Sequence, residues 1–270
     1  MPERPRVYKT EGIILRRRNI GEADSIFTVY SNELGKFDAV ARGVRKARSH
    51  MRGHLEPLTR SRLMVARGRT LDVFTQAETV APYRAIRDDL ERGAEAMYCA
   101  ELVDRFTGEH IEQPGLYELI LEVLDALEAG SPVQVVRFFE MQILSLMGYE
   151  LQLAACAVCG GRLPEEETLL SPVAGGLVCP GCRATAGVGR LVSVRAVKVL
   201  RFARASDMAG FAALRVDADL GAELHRAMAE VIHYLLDREL GSGRFVDEVN
   251  RVGRAAATPG EAGVQLDQTT

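Results

Sequence analysis

The sequence predicts an α+β protein in which a five-stranded OB-fold β-barrel precedes an α-helical bundle domain with an inserted four-cysteine zinc finger. Three observations support this fold class. The hydrophobic pattern has a period of two residues before Pro82 and of about 3.6 residues after it. Four cysteines form two C-x-x-C pairs inside the helical part. A chain of 270 residues is long enough for two domains.

The first domain, residues 1–80, is predicted from five short segments rich in β-branched and aromatic residues and separated by glycines. The predicted strands cover residues 12–15, 25–30, 36–41, 62–66 and 70–75. Five strands in so short a chain indicate a small closed barrel, most commonly an OB-fold, although the pattern also fits an SH3-like barrel. The longest connection, residues 43–57, follows the third strand, where OB-folds often carry an extra segment.

The second domain, residues 81–250, is predicted from apolar stripes at helical spacing. Further helices are predicted over 116–127, 132–147 and 220–240, and Ser193 is a candidate N-cap for another one. The first stripe is expected to face the core and comprises Ile86, Leu90, Ala94, Met97 and Leu102. Residues 251–270 have no periodicity, and we expect a disordered tail there.

The strongest motif is formed by Cys156, Cys159, Cys179 and Cys182, with 19 residues between the two pairs. This spacing is typical of a four-cysteine zinc ribbon, and four thiolates fill the tetrahedral shell of Zn²⁺ without leaving a position for substrate. We therefore expect one structural zinc ion per chain in an insert at about residues 153–187. A redox pair or two disulfides fit less well, because no βαβ pattern adjoins the cysteines and an odd total of five argues against a disulfide framework. The fifth, Cys99, is predicted to be a buried apolar residue.

Charge is divided unevenly along the chain. Residues 1–80 hold 16 Lys and Arg against 9 Asp and Glu, whereas residues 81–270 hold 18 against 28. A basic first domain suggests a polyanionic partner, although an uneven solvated surface gives the same count. The cations we predict to contact nucleic acid are Arg16, Arg17, Arg18, Lys36, Arg42, Arg45, Lys46, Arg48, Arg52, Arg67 and Arg69.

The basic residues cluster where the loops of an OB-fold frame an oligonucleotide groove, with no acid between Val40 and Arg52. No base-reading motif is present, so binding is expected to be independent of sequence. Tyr30, Phe37 and Phe74 could stack on bases, but core positions in so small a barrel are the preferred interpretation.

Catalytic and membrane functions are not indicated. The chain has no P-loop, no H-E-x-x-H, no G-x-S-x-G and no dinucleotide fingerprint. Glu22 and Asp24 could suggest a general acid and base or a magnesium site, but without further carboxylates they are expected to be solvated turn residues. No export signal or membrane span is expected. From the residues alone, the candidate functions are a DNA-binding adaptor, an RNA- or ribosome-binding OB-fold plus zinc-ribbon protein and, more distantly, a metal-dependent nuclease.

The order of several short motifs resembles the RecO family of bacterial DNA repair and recombination mediators. In the first domain these are GIIL (12–15), GEADSI (21–26), GK (35–36), ARGVRK (41–46), RG (52–53) and LEPL (55–58). In the second domain they are FE (139–140), MGY (147–149), the four cysteines and LLDREL (235–240). Each motif is weak alone, but together they cover nearly the whole chain up to about residue 249.

The resemblance implies a non-catalytic cytoplasmic, nucleoid-associated protein that binds single- and double-stranded DNA and anneals complementary strands. It further implies association with RecR and help in loading RecA onto DNA coated by single-stranded DNA-binding protein. Arg42 matches a basic position of the family's DNA-binding barrel. Arg137 lies where the family would place a basic contact to the acidic tail of single-stranded DNA-binding protein. Some members lack the cysteines, so the resemblance does not make zinc essential for mediation.

Overall fold

A computed structural model describes residues 6–132 and 134–256, and for residues 238–256 it describes only the helical backbone. The predicted order of a barrel followed by helices is confirmed. The first five strands are β1 Val7–Ile20, β2 Asp24–Ser31, β3 Gly35–Ala41, β4 Arg60–Ala66 and β5 Asp72–Ala81. The helices are α1 Arg84–Asp88, α2 Leu90–Phe106, α3 Leu116–Glu128, α4 Val135–Leu146, α5 Val194–Ala205, α6 Met208–Ala212 and α7 Ala218–Ala256.

The five strands close into an OB-like barrel in the order β1-β2-β3-β5-β4. All neighbours are antiparallel except β3 and β5, which run parallel. The first half of β1 pairs with β4 and the second half with β2, and a register shift between Ile14 and Arg16 marks where β1 bends from one partner towards the other. The barrel core contains Ile14, Phe27, Val29, Phe37, Val65 and Phe74.

The first strand is longer than predicted. We expected it to end near Leu15, but pairing with β2 continues to Ile20 opposite Asp24. Arg16, Arg17 and Arg18, which we expected to finish this strand, lie within it. Alternation along the strand consequently separates their side chains between the two faces of the sheet.

The predicted apolar stripe at the start of the helical domain is confirmed at Ile86 and Leu102 but is wrong at its three middle positions. Leu90 is 91% exposed and Met97 is 42% exposed, and Ala94 is also exposed. The chain breaks at Asp89, whose side chain caps α2 by accepting a hydrogen bond from the Arg92 amide, so the stripe does not continue from α1 into α2. The buried face of α2 consists of Ala96, Cys99, Ala100, Leu102, Val103 and Phe106.

The later helices agree with the sequence pattern. Ser193 caps α5 by accepting a hydrogen bond from the Ala196 amide. Helices α3 and α4 bury the predicted apolar residues between them. On α7 the buried positions are Leu220, Leu224, Ala227, Met228, Val231, Ile232 and Leu235. The predicted disordered tail is corrected in part, because α7 continues to Ala256, whereas residues 257–270 lie outside the described residues.

The barrel packs directly on the helical domain. Gly35, at a φ of +63°, lies so close to the segment after α2 that an added Cβ would be 2.1 Å from the carbonyl oxygen of Ile111. Beside it the His110 amide donates to the carbonyl of Lys36 at 2.7 Å. The outer face of β1 and β2 contributes Ile13, Leu15 and Tyr30 to the helical core. The two domains therefore share this core, which is separate from the one inside the barrel.

The cysteine segment folds around a small sheet inserted between α4 and α5. Its strands, in spatial order β7-β6-β8, are β6 Thr168–Ser171, β7 Gly176–Val178 and β8 Arg190–Val192. Its apolar residues, such as Leu170, Leu177 and Val192, join the core of the helical domain. The insert is thus attached to the helical body.

Candidate metal centre and nucleic-acid interface

The four cysteines of the two C-x-x-C pairs come together as predicted. The Sγ atoms of Cys156, Cys159, Cys179 and Cys182 all lie within 4.8 Å of one another. The Sγ atoms of Cys159 and Cys179 are 3.9 Å apart. A tetrahedral zinc ion with Zn–S distances of about 2.3 Å separates its sulfurs by about 3.8 Å. The arrangement is therefore consistent with a zinc site.

Two tight turns position these sulfurs. In the first, the Gly160 amide donates to the carbonyl of Cys156 at 2.9 Å, and Gly160 adopts a φ of +70° that glycine accepts without strain. In the second, the Cys182 amide donates to the carbonyl of Cys179 at 3.0 Å. The Cys179 amide also donates to the Cys156 sulfur at 3.4 Å, which joins the two turns.

The electrostatics of the cluster favour a bound cation. Amide N–H groups of Cys159 and Cys179 lower the pKa of the Cys156 thiol to about 6, which favours its thiolate. Hydrogen bonds with Cys179 and Cys159 raise the pKa of Cys182 to about 12. Four thiolates at these distances repel one another, and a divalent cation removes that repulsion. Cys99 lies outside the cluster and is buried, and its burial raises the pKa of its thiol.

A group of exposed cations without acidic partners lies on the barrel. Within residues 6–132 and 134–237, no ion pair or side-chain hydrogen bond engages the members of this group. Four of them belong to the β3–β4 loop, residues 42–59. The group comprises Arg18, Arg42, Lys46, Arg48, Arg52 and Arg69.

Arg45 serves a different purpose in the same loop. Its guanidinium donates to the carbonyl of Gly21, and its amide donates to the carbonyl of Ala23 at 2.9 Å. Asp24 makes another contact between the same two segments by accepting a hydrogen bond from the Gly43 amide at 2.7 Å. These contacts fix the start of the β3–β4 loop against the β1–β2 turn. Asp24 therefore has a structural partner of its own.

Three other predicted contact residues are held by acids. Arg16 pairs with Asp104 at 3.1 Å, and Arg17 lies 3.6 Å from Glu56 with its guanidinium over the Phe27 ring. Lys36 has a side chain only 12% exposed, 3.2 Å from the Asp104 carboxylate. Lys36 thus links the barrel to α2, and we correct its expected position on an open DNA surface. Sequence could not separate these residues from the free cations, because their acidic partners are distant in the chain.

The β4–β5 loop carries the remaining cations. Arg67 lies over the Tyr8 ring at 4.9 Å, and Asp72 accepts hydrogen bonds from both the Tyr8 hydroxyl and the Gly68 amide. Arg69 is exposed. Among the described residues no hydrogen bond or ion pair joins this loop to the β3–β4 loop.

The three aromatic side chains considered as base-stacking groups are buried. Phe37 and Phe74 lie inside the barrel, and Tyr30 lies in the shared core beside the helices. The preferred interpretation as core residues is confirmed.

Arg137 is also buried, contrary to the expected surface position. It is 3% exposed and lies 3.3 Å from Glu95 and 3.2 Å from Glu140, and it donates to the Nδ1 atom of His225 at 2.8 Å. Burial lowers the pKa of His225, and the charge of the nearby Arg137 lowers it further. The lowered pKa favours the neutral imidazole, which can accept this hydrogen bond. Arg137 thus joins α2, α4 and α7.

Comparison with known proteins decides the family. The family model described as "Recombination protein O N terminal" matches residues 6–83, and "Recombination protein O C terminal" matches residues 87–244. The chain belongs to the RecO family. The two matches together cover the barrel and nearly all of the described helical domain, so the resemblance seen in the motifs is confirmed.

Relatives named "DNA repair protein RecO" match over most of their length. The protein from Roseiflexus sp. (strain RS-1) is 38% identical over 94% of this chain and 90% of its own. The protein from Pelotomaculum thermopropionicum is 36% identical over 96% of this chain and 100% of its own, and that from Dehalococcoides mccartyi (strain CBDB1) is 35% identical over 87% and 93%. Membership of the RecO family supports a role in DNA repair and recombination. In the part of the chain that the structure describes, no helix has the length and apolar character to cross a bilayer.

Proposed function

We propose that this RecO-family protein is a non-catalytic recombination mediator that binds single- and double-stranded DNA and anneals complementary strands. The observation that carries the proposal is the set of exposed, unpaired cations on the β3–β4 loop: Arg42, Lys46, Arg48 and Arg52. Side chains without a protein counter-ion are available to phosphates, and each phosphate contact releases condensed counterions. Arg18 at the end of β1 and Arg69 on the β4–β5 loop would extend this surface.

The loop geometry supports binding without large rearrangement. Arg45 and Asp24 anchor the β3–β4 loop to the β1–β2 turn, so the neighbouring cations are presented from a fixed base. A preorganised surface loses less conformational entropy when a strand binds. Because contacts to phosphates carry no sequence information, the proposed binding is independent of sequence, as annealing of arbitrary strands requires.

We further propose that the four cysteines hold one structural Zn²⁺. Four sulfur ligands at these distances suit zinc and leave no coordination position for a substrate. The ion would stabilise the insert and the helical surface beside it.

The partners we propose are RecR, single-stranded DNA-binding protein through its acidic tail, and RecA, loaded indirectly, at the nucleoid in the cytoplasm. These assignments follow from the family's role. The buried Arg137 is not proposed as a direct contact to the tail, since reaching it would require displacing His225 and breaking its pairing with two glutamates.

The test combines binding with annealing of DNA coated by its single-stranded binding protein, with and without RecR. The variant R42A/K46A/R48A should bind an oligonucleotide more weakly, and the slope of log affinity against log salt should fall by about 2, since each lost contact removes about 0.7. A matched control, R84A/R215A/R226A, removes three exposed arginines elsewhere. Failure of the unmodified protein to accelerate annealing, or an unchanged salt slope in the variant, would contradict the proposal.

A further inference from the structure

Helix α5 has an unusual composition for its part of the chain. It contains Arg195, Lys198, Arg201 and Arg204 and no acidic residue, although residues 81–270 hold ten more acids than bases. All four side chains are exposed. Each follows the one before by three residues, which raises it by about 4.5 Å and turns it by about 60° around the axis, so neighbouring members are adjacent while the row winds around the helix. This helix therefore presents a row of positive charge on an otherwise acidic domain.

The middle of the row is free of acidic partners. Arg195 pairs with Asp217, and Arg204 pairs with Glu150, so both ends are neutralised. Among the described residues Lys198 has no ion pair, and Arg201 uses only its Nε–H, which donates to the carbonyl of Leu153 at 2.8 Å. The two Nη groups of Arg201 remain available to a ligand.

A furrow runs beside this row. The strand-like segment before the first cysteine pair lies along α5 and leaves two adjoining hollows of about 650 and 180 Å³. Arg201 and Ala154 line both hollows, which are therefore adjacent. Lys198 and Arg162, an exposed residue of the cysteine insert, line the smaller one. Three cations without described acidic partners therefore line the smaller hollow, together with Glu165 and Glu166.

Helix α5 also carries an exposed aromatic ring. Phe202 is 41% exposed, although it stacks on Phe211 with ring centroids 6.4 Å apart and planes inclined by 24°. Proteins that bind single-stranded nucleic acids combine cations, which contact the phosphates, with aromatic rings, on which the bases stack.

We propose that the α5 furrow is a second binding site for a single strand of nucleic acid, separate from the barrel surface. Arg162, Lys198 and Arg201 are available to the phosphates of a strand, and Phe202 on the same helix offers stacking that an acidic peptide does not need. This inference rests on the proposed annealing function and deepens it. Two sites on one chain would hold two strands near each other before they pair.

The test uses the full-length protein and the charge-reversal variant R162E/K198E. Neither side chain makes a described hydrogen bond or ion pair, so the variant should fold with an unchanged melting temperature and metal content. Two non-complementary single strands carrying a donor and an acceptor dye are mixed with the protein, and energy transfer reports a complex holding both. The unmodified protein should give transfer at one strand of each kind per chain. The variant should lose transfer and anneal about tenfold more slowly, while it still binds one strand.

The matched control is R84E/R226E, which reverses two exposed arginines of α1 and α7 and should retain energy transfer. Retained transfer in R162E/K198E, or equal loss in the control, would overturn the second site. The second site would also be overturned if R162E/K198E anneals normally but no longer binds an acidic peptide, because the furrow would then be a peptide site. If the unmodified protein binds no DNA, the proposed function itself fails; if it binds one strand only, the second site alone fails.

Discussion

At the residue scale, Gly35 shows how one missing side chain allows the two domains to meet. Substitution by Ala should destabilise the protein by about 3 kcal/mol, because it adds a clash with the carbonyl of Ile111 to the cost of a positive φ. Gly21 is a matched control, since it also has a positive φ but nothing within 4 Å of an added Cβ. G21A should cost only about 1 kcal/mol in urea unfolding. Equal losses of unfolding free energy in G35A and G21A would show that the close contact with Ile111 does not contribute to stability.

Glu140 gives a prediction about pH at the same scale. Burial raises the pKa of this carboxyl from its ordinary value of 4.5 to about 7, against the opposing effects of Arg137 and Tyr98. The folded protein then holds the proton more tightly than the unfolded chain, so this group's contribution to stability falls as pH rises from about 4.5 to about 7. E140Q keeps an acceptor for the Tyr98 hydroxyl and cannot ionise.

Relative to the unmodified protein, E140Q should gain stability as pH rises through this range, by on the order of 3 kcal/mol in total. Urea unfolding at a series of pH values measures the difference. Parallel curves for the two proteins would show that Glu140 is not the titrating group.

At the element scale, we expect the cysteine insert to depend on the proposed zinc ion, because its sheet is small. Cys156→Ser should remove one equivalent of zinc and lower the melting temperature by several degrees, because the two turns lose the ion that joins them. Cys99→Ser is the matched control, since Cys99 is buried outside the cluster and should leave the zinc content unchanged. Elemental analysis and calorimetry measure both effects. Full zinc content in the Cys156 variant would contradict the assigned ligands.

Helix α2 illustrates how an element can mislead a prediction. The sequence spacing of Ile86, Leu90, Ala94 and Met97 is helical, yet only Ile86 is buried. Asp89 ends α1 and caps α2, which resets the orientation of the following helix. The face that packs inward uses small residues such as Ala96 and Ala100, because α2 lies close to its neighbours there.

At the scale of the whole molecule, Lys36 tests whether the domains act as one body. Its ammonium group lies between the carboxylate and the carbonyl of Asp104, and Arg16 pairs with the same carboxylate. Lys36→Ala should lower the free energy of unfolding by about 2 kcal/mol, since it leaves Asp104 partly buried with one fewer partner. Its affinity for an oligonucleotide should stay within about twofold of the unmodified protein.

Lys46→Ala is the comparison, because Lys46 is exposed and free of side-chain partners in the described structure. It should weaken oligonucleotide binding with almost no change in stability. If instead K36A weakens binding as much as K46A in a folded protein, Lys36 belongs to the DNA surface after all.

The sequence by itself determined the barrel, the order of the domains, the cysteine cluster and the family, because these depend on local periodicity and on spacing along the chain. Strand alternation identified all five barrel strands, and Ser193 was recognised as a cap from its residue type and position. Two C-x-x-C pairs specify a site because each short turn already brings two sulfurs together.

Only the tertiary structure decided which charges are free. Lys36 and Arg137 belong to the same residue classes as Lys46 and Arg42, but acids distant in sequence surround the first two. Likewise, the net negative charge of the second domain did not indicate the positive row of α5, because a count of charges does not show which charged residues lie together on the surface. Burial and pairing depend on contacts between distant parts of the chain, and those contacts exist only once the chain has folded.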